Sequence, residues 1–269
     1  MALTTREYLG GATLTREMVD RFLDADARNW AAFDPLLGYK LRDSVVNDGM
    51  DGSHTLSRYG PSGARRMVNF AEQRCTINTY GDSFTQCQQV NDGETWQEYL
   101  AAHLCEPIRN FGVGGYSVYQ AYLRLLREEQ TDTSADFIML NIWSDDHLRS
   151  IYTWRWLVYG QSAWSRLKTN VSKPQVWTFD GGPRPRVRLD PETGRFEERL
   201  NAYSTPESLY LLCDQDHVYE ALVDEFDVQA ILAHQHVTDV KTDVLDAMAE
   251  VLDMPTDFSS PEAIARTGR

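Results

Sequence analysis

The stretch NTYGDSFTQC, residues 78–87, sets the interpretation of the whole chain. It contains the end of a strand-like run, residues 75–80, and then a Gly-Asp-Ser turn that leads toward a helix. Ser83 in this turn has two interpretations. It is either a nucleophile held at the end of a strand, or a serine that closes the turn and caps the next helix.

The segments around this turn alternate between strand and helix patterns. Residues 96–104 carry apolar side chains four residues apart, as in a helix, and residues 107–111 follow as a short strand. Residues 117–129 give a second helical pattern. The near-continuous apolar run at residues 136–143 is of the kind buried on both faces of a sheet. This β-α-β-α-β order predicts a parallel sheet with right-handed crossovers.

The remaining segments are expected to extend this core into one main domain. Residues 1–72 form an N-terminal extension, and residues 46–66 within it have the composition of loops. The core covers residues 73–150. An aromatic insertion at residues 151–205 carries a predicted β-hairpin, and residues 206–269 are mainly helical in pattern.

Composition narrows the classes of partner. The chain has 269 residues, a net charge of −14 and a pI near 4.8, so its surface repels nucleic acid and anionic membranes. We find no signal peptide or membrane-spanning run and expect a cytoplasmic protein. The four cysteines lack metal-binding or redox spacing, so no metal and no cofactor is expected. The oligomeric state is left open.

Three strand ends carry residues suited to chemistry. Ser83 follows the first strand, the glycine-rich NFGVGG at residues 110–115 follows the second, and NIWSDDHLRS at residues 141–150 closes the third. Parallel strands bring their carboxyl ends to one edge of a sheet. Glycines there allow close backbone approach and supply N–H donors, although a tight turn alone also explains them. The convergence predicts a catalytic site.

These blocks resemble the SGNH, or GDSL, hydrolase superfamily, which contains esterases, lipases, carbohydrate deacetylases and acyltransferases. The resemblance covers residues 74–150 and is carried by Gly81-Asp82-Ser83-Phe84 and by residues 110–115. It implies an α/β fold of three layers, with a doubly wound, mostly parallel, flavodoxin-like sheet. It also implies that Ser83 is the nucleophile and that the Gly115 N–H binds the oxyanion. The implied substrate is a small-molecule or carbohydrate ester with a short acyl or O-acetyl group.

The third block departs from the family pattern, Gly-x-Asn-Asp, in which the asparagine is a further oxyanion donor. Asp145 stands at that position here, followed by Asp146. Asp145 is either protonated and donating, or a helix cap that leaves two donors, or part of a site that no longer hydrolyses esters. Asn141 is set aside because the predicted strand runs past it. Metal binding by Asp145, Asp146 and His147 is a weaker alternative than helix capping.

The family's general base is a histidine in an Asp-x-x-His motif that follows a fifth strand. Asp214 and His217 have this spacing, but they lie in a helical pattern, and an exposed, charged helix start is the preferred interpretation over a general base. His234 and His236 face the same alternative. Only three strands are recognisable, so either other elements cover the open edge or the chain is a C-terminally incomplete copy without the base.

The aromatic insertion and the end of the third strand are rich in tryptophan. These residues either form a surface that grips the substrate, or pack a small core of their own or a subunit contact. They are Trp143, Trp154, Trp156, Trp164 and Trp177. The alternative to an esterase is therefore a catalytically impaired SGNH-like module that binds a carbohydrate or a protein partner.

Overall fold

The computed structural model describes residues 3–27, 29–49, 51–169, 183–190 and 193–251. The α-helices in these ranges are α1 (Thr5–Ala12), α2 (Arg16–Leu23), α3 (Ser83–Gln86), α4 (Trp96–Leu104), α5 (Val118–Glu128), α6 (Ser144–Ile151), α7 (Gly160–Thr169), α8 (Gln215–Leu222), α9 (Phe226–His234) and α10 (Thr242–Val251). The strands are β1 (Ala31–Asp34), β2 (Gly38–Leu41), β3 (Ser44–Val46), β4 (Thr55–Ser57), β5 (Ile77–Tyr80), β6 (Ile108–Asn110), β7 (Phe137–Leu140), β8 (Arg186–Leu189) and β9 (Phe196–Arg199). Short 3-10 helices lie at Asp92–Glu94, Arg155–Tyr159 and Glu207–Cys213. None of the helices in the described ranges combines the length and the apolar character needed to cross a bilayer.

The chain divides into two compact units. The sheet unit is Asp26–Arg149, and the helical unit combines Met1–Ala25 with Ser150–Arg269. The predicted N-terminal extension is therefore divided. Its first 25 residues belong to the helical unit and the remainder belongs to the sheet unit.

The sheet unit is built on three parallel strands in the order β6-β5-β7. Ile77 of β5 pairs with Ile108 of β6 on one side and with Phe137 of β7 on the other. Helix α4 connects β5 to β6, and α5 connects β6 to β7. The predicted β-α-β-α-β order and the parallel pairing are confirmed, and the unit is of the mixed α/β class.

The two faces of the central strand β5 pack on different helices, because successive side chains of a strand point to opposite faces. Ile77 lies with Ala101 of α4 in one apolar cluster. On the other face Tyr80 stacks on Phe111 at 5.1 Å between ring centroids, and Leu125 of α5 packs against this pair. Helices thus cover the sheet on both faces at β5.

Strand β7 departs from the prediction that it is buried on both faces. Phe137, Ile138 and Met139 are 66%, 46% and 41% exposed. The physical reason is position. Among the described residues β7 has a strand neighbour on one side only, while α4 packs on β6 and α5 packs on β5. The strand also ends at Leu140, three residues earlier than the apolar run in the sequence.

Two small antiparallel hairpins precede the central sheet. Strand β1 pairs with β2, and β3 pairs with β4 through Val45 and Leu56. The expectation of loops over residues 46–66 is therefore wrong for β4 and for the end of β3. Strands of three residues are too short for an alternating pattern to reveal them.

The helical unit packs around tryptophans of the aromatic insertion. Trp154, Trp156 and Trp164 are at most 1% exposed. The indole N–H of Trp156 donates to the carbonyl of Ala12 in α1 at 2.8 Å, and that of Trp164 donates to the carbonyl of Trp156 at 2.7 Å. These three side chains are buried and offer no surface to a ligand. Trp177 lies outside the described residues.

The predicted hairpin of the insertion is confirmed. Strands β8 and β9 pair antiparallel, with Leu189 opposite Phe196 next to the turn.

Candidate active site

Ser83 is the first residue of α3 and directly follows the turn at the end of β5. The preceding Asp82 is the N-cap of this helix, because its Oδ1 accepts the Phe84 N–H at 2.9 Å. Gly81 has φ 157°, and a methyl group on it would lie 2.3 Å from Thr85 Oγ1. Asp82 therefore has a structural role as the helix cap, and Gly81 has one because a larger residue would clash with Thr85. The capping role belongs to Asp82, which leaves the partly buried Ser83 available for another role.

The glycine-rich loop after β6 lies against the helix that carries Ser83. A methyl group on Gly114 would be 3.7 Å from Ser83 Cβ, and the Gly114 N–H donates to Gln86 Oε1 at 2.6 Å. A methyl group on Gly112 would be 2.2 Å from the backbone nitrogen of Gln86. Gly115, the predicted oxyanion donor, follows with φ 81°. Glycine is thus required at position 112 for the loop to approach the backbone of α3 closely.

Asn141 is brought to the same turn by β7. Its Nδ2 donates to Asp82 Oδ1 at 3.3 Å, and its backbone N–H donates to the carbonyl of Tyr80 at 2.8 Å. The reason for setting Asn141 aside was wrong, because β7 ends at Leu140 and Asn141 is the first residue beyond it. Asp145 falls in α6, but its side chain lies outside the described part of the structure.

Two buried carboxylates lie next to the turn with one guanidinium group. Asp82 is 1% and Asp146 is 2% exposed. Arg149 places Nη1 2.6 Å from Asp146 Oδ1 and 4.0 Å from Asp82 Oδ2, and it donates to the carbonyl of Tyr116 at 3.3 Å. Asp146 therefore belongs to a buried ion pair. In the described ranges no three His, Cys, Asp or Glu side chains come close enough together to hold a metal ion.

The sequence interpretation missed two residues that support this site. Arg65 is 2% exposed and donates through Nη1 to the carbonyls of Gln86 and Cys87 at 2.6 and 2.8 Å, which fixes the end of α3. The Tyr39 hydroxyl donates to the carbonyl of Gly114 at 2.7 Å. Both residues precede the core segment. No local pattern marks them, because their partners lie 21 to 75 residues further along the chain.

The predicted base pair lies in the helical unit, whereas Ser83 belongs to the sheet unit. Asp214 is the N-cap of α8, and its Oδ1 accepts the backbone N–H groups of Asp216 and His217 at 2.9 and 3.0 Å. The His217 ring is hydrogen-bonded through Nε2 to the Tyr203 hydroxyl at 3.0 Å. Asp214 thus contacts the backbone of His217, not its imidazole.

The described part of the sheet unit contains further histidines at exposed positions. No hydrogen bond joins any of them to Ser83 in the described ranges. They are His54, His103 and His147. The sheet unit therefore does not assemble a serine–histidine pair from its own described residues. His234 and His236 belong to the helical unit.

An open cavity of about 430 Å³ adjoins the turn on the side of β7. It extends from the end of β5 to the first residue of α4. Its lining residues are Tyr80, Phe84, Thr85, Trp96, Met139, Leu140 and Asn141. Burial raises the pKa of Tyr80, and its hydroxyl donates to Glu129 Oε1 at 2.6 Å, so the tyrosine contributes no charge to the cavity.

Comparison of the chain with models of protein families, with curated proteins and with solved structures gave no match. The function is therefore inferred from the geometry of the sheet unit.

Proposed function

We propose that this chain is a serine hydrolase of the SGNH type that cleaves a carboxylic ester through an acyl-enzyme on Ser83. In this proposal the three parallel strands belong to a doubly wound, flavodoxin-like sheet. One observation carries the proposal. Ser83, the glycine-rich loop and the Asn141 amide meet where the carboxyl ends of three parallel strands come together.

The proposed reaction begins with attack of Ser83 Oγ on the ester carbonyl carbon, which forms a tetrahedral oxyanion. Collapse of this intermediate expels the alcohol, which takes up the serine proton, and water then hydrolyses the acyl-enzyme to release the acid. The N–H groups of Ser83 and Gly115 are the proposed oxyanion donors. They belong to the first residue of a helix and to a glycine in a left-handed conformation.

We assign the third donor to Asn141 rather than to Asp145. An amide N–H stabilises a developing negative charge, whereas an ionised carboxylate repels it. The support for this assignment is the hydrogen bond from Asn141 Nδ2 to Asp82, the residue next to the nucleophile. Asp214 with His217 stays a prediction for the general base, and the capping contact of Asp214 argues against a role in orienting the imidazole.

The second candidate is a catalytically impaired module of the same fold that binds a carbohydrate or protein partner. The observation that favours it is that no histidine in the described part of the sheet unit is hydrogen-bonded to Ser83. Without a base a serine nucleophile loses most of its reactivity, although oxyanion donors preserve some of it.

The two candidate functions are distinguished by comparing p-nitrophenyl acetate hydrolysis by the wild type and by the Ser83→Ala variant. We expect the variant to lose at least about 100-fold in kcat/KM, because the nucleophile is removed while the oxyanion donors stay. Ser134→Ala is the matched control, since Ser134 is an exposed serine that precedes the opposite end of β7. A fluorophosphonate probe should label the wild type and the Ser134→Ala variant but not the Ser83→Ala variant.

Equal turnover by wild type and Ser83→Ala, together with equal labelling, would show that Ser83 is not a nucleophile. Labelling that depends on Ser83 without measurable turnover would favour the impaired module.

A further inference from the structure

The cavity beside the Ser83 turn has walls made mainly of apolar side chains. Phe84, Trp96 and Met139 each leave more than a third of their surface exposed to it and to solvent. Its volume of about 430 Å³ lies within the range of about 300–1,000 Å³ that small-molecule pockets occupy. Such pockets combine apolar walls with a few polar groups that orient the ligand, and here Asn141 is the partly exposed polar side chain of the lining.

The aromatic side of the cavity is held in a defined arrangement. The Trp96 indole N–H donates to the carbonyl of Phe84 at 3.3 Å. The rings of Phe84 and Trp143 lie 5.1 Å apart between centroids, with 35° between their planes. Phe84 thus contacts two further exposed aromatic residues, Trp143 through its ring and Trp96 through its backbone carbonyl. These contacts hold Phe84 in place before any ligand binds, which lowers the entropic cost of binding.

The cavity reaches the proposed oxyanion donor Asn141 and adjoins the turn that carries Ser83. Phe84 and Thr85 directly follow Ser83 in α3, and Asn141 donates to the neighbouring Asp82. An ester carbonyl that accepts a hydrogen bond from Asn141 therefore has an apolar space beside it.

The charges around the cavity define the kind of group that fits. None of the lining residues that the structure describes carries a charge, and the buried side chain of Asp82 lies at the Asn141 end. The whole chain has a net charge of −14. An anionic group would find no cation among the described lining residues, and a sugar would leave its hydroxyl groups without partners along the apolar wall.

We propose that the cavity binds the apolar acyl chain of a neutral ester, of medium length or aromatic, rather than an acetyl group. This inference rests on the proposed function of Ser83 and narrows its substrate class. Each methylene group moved from water into apolar surroundings strengthens binding about fourfold, so an acyl chain that lies along this wall gains affinity that an acetyl group does not.

Binding is tested without catalysis by titrating Ser83→Ala with octanamide and with acetamide, two neutral amides that the site cannot hydrolyse as esters. Calorimetry or tryptophan fluorescence should show that octanamide binds at least about tenfold more tightly. Met139→Glu should abolish this preference, because it places a charge in the wall. Phe137→Glu is the matched control, since Phe137 lies on the same face of the same strand but does not line the cavity.

Turnover is then compared between p-nitrophenyl octanoate and p-nitrophenyl acetate. Wild type and Phe137→Glu should favour octanoate by at least about tenfold in kcat/KM, and Met139→Glu should lose that preference.

Equal binding of the two amides by the Ser83→Ala variant would overturn the acyl-chain inference, even if Ser83-dependent acetate turnover supported the proposed function. If octanamide bound more tightly but turnover did not depend on Ser83, the proposed function would fail. The cavity would then not be the acyl-chain site of a Ser83 esterase, and the substrate assignment would be overturned with it.

Discussion

The two sides of β5 differ in how closely they are packed. On the β6 side the glycine-rich loop packs tightly against α3, and Gly112 leaves no room for a methyl group against the backbone of Gln86. Toward β7 the same end of β5 opens into a cavity of about 430 Å³, with Met139 in its wall. The closed side holds the backbone near Ser83 in place, and the open side leaves space for a ligand.

One pair of residues shows why hydropathy does not predict this difference. Asn78 of β5 and Ile138 of β7 are partners in the sheet register. The polar residue is fully buried, and its amide donates to Glu129 and to the Thr133 carbonyl and accepts from Arg109. The apolar partner is 46% exposed. Burial follows position in the sheet and satisfied hydrogen bonds, not side-chain polarity alone.

The largest effect is expected for Gly112→Ala on the closed side. The added methyl group would lie 2.2 Å from the Gln86 nitrogen and 2.5 Å from the Thr85 carbonyl carbon, so the loop or α3 must move. We expect the free energy of unfolding to fall by at least about 3 kcal/mol, at the upper end for overpacking because both neighbours are backbone. Urea unfolding of the full chain measures this change.

Gly93→Ala is the matched control for that prediction. The nearest atom to a methyl group there is Val68 Cγ2 at 3.8 Å, an ordinary contact, and we expect a change within about 1 kcal/mol. If both substitutions had the same effect, the close approach of the glycine-rich loop to α3 would be contradicted.

A smaller loss of unfolding free energy is expected for Asn78→Ala. The substitution removes the hydrogen bonds to Glu129 at 2.7 Å and to the Thr133 carbonyl at 2.8 Å, and it takes an acceptor from Arg109. We expect a loss of about 2–3 kcal/mol in unfolding free energy, since buried groups left without a partner cost about 1–3 kcal/mol each. An unchanged urea midpoint would mean that this network does not hold β5.

The smallest effect is expected for Ile138→Ser, the substitution at the register partner. We expect the free energy of unfolding to fall by about 1 kcal/mol, because only about half of the side chain is buried. The same urea unfolding experiment measures it. A loss as large as that of Asn78→Ala would show that Ile138 is covered in solution, which would remove the contrast between the two sides of β5.

The order of strands and helices over residues 74–143 could be predicted because it depends on local patterns. Apolar runs, helical spacing and glycine turns are each read within about ten residues. The parallel pairing follows from the alternation itself, since parallel neighbours need a crossover connection. The exposure of β7 could not be predicted this way, because the sequence of a strand does not indicate which other elements pack against it.

The candidate site could be predicted only in part, because local patterns do not indicate contacts between distant segments. Ser83 and Gly115 were found because each stands in a recognisable turn directly after a strand. Asn141 was set aside because the apolar run continues beyond the true end of β7 at Leu140. Arg65 and Tyr39 were missed because their contacts with α3 and the glycine-rich loop form only when distant segments meet.

The sequence by itself determined the alternating elements of the sheet unit, its acidic charge and the placement of a serine and glycines at successive strand ends. These properties are local or additive along the chain. Only the tertiary structure decided that β5 is central, that Trp154, Trp156 and Trp164 are buried, and that Asn141 meets Asp82 beside an open cavity. Burial and hydrogen bonding between distant residues depend on which surfaces meet, and no short stretch of sequence contains that information.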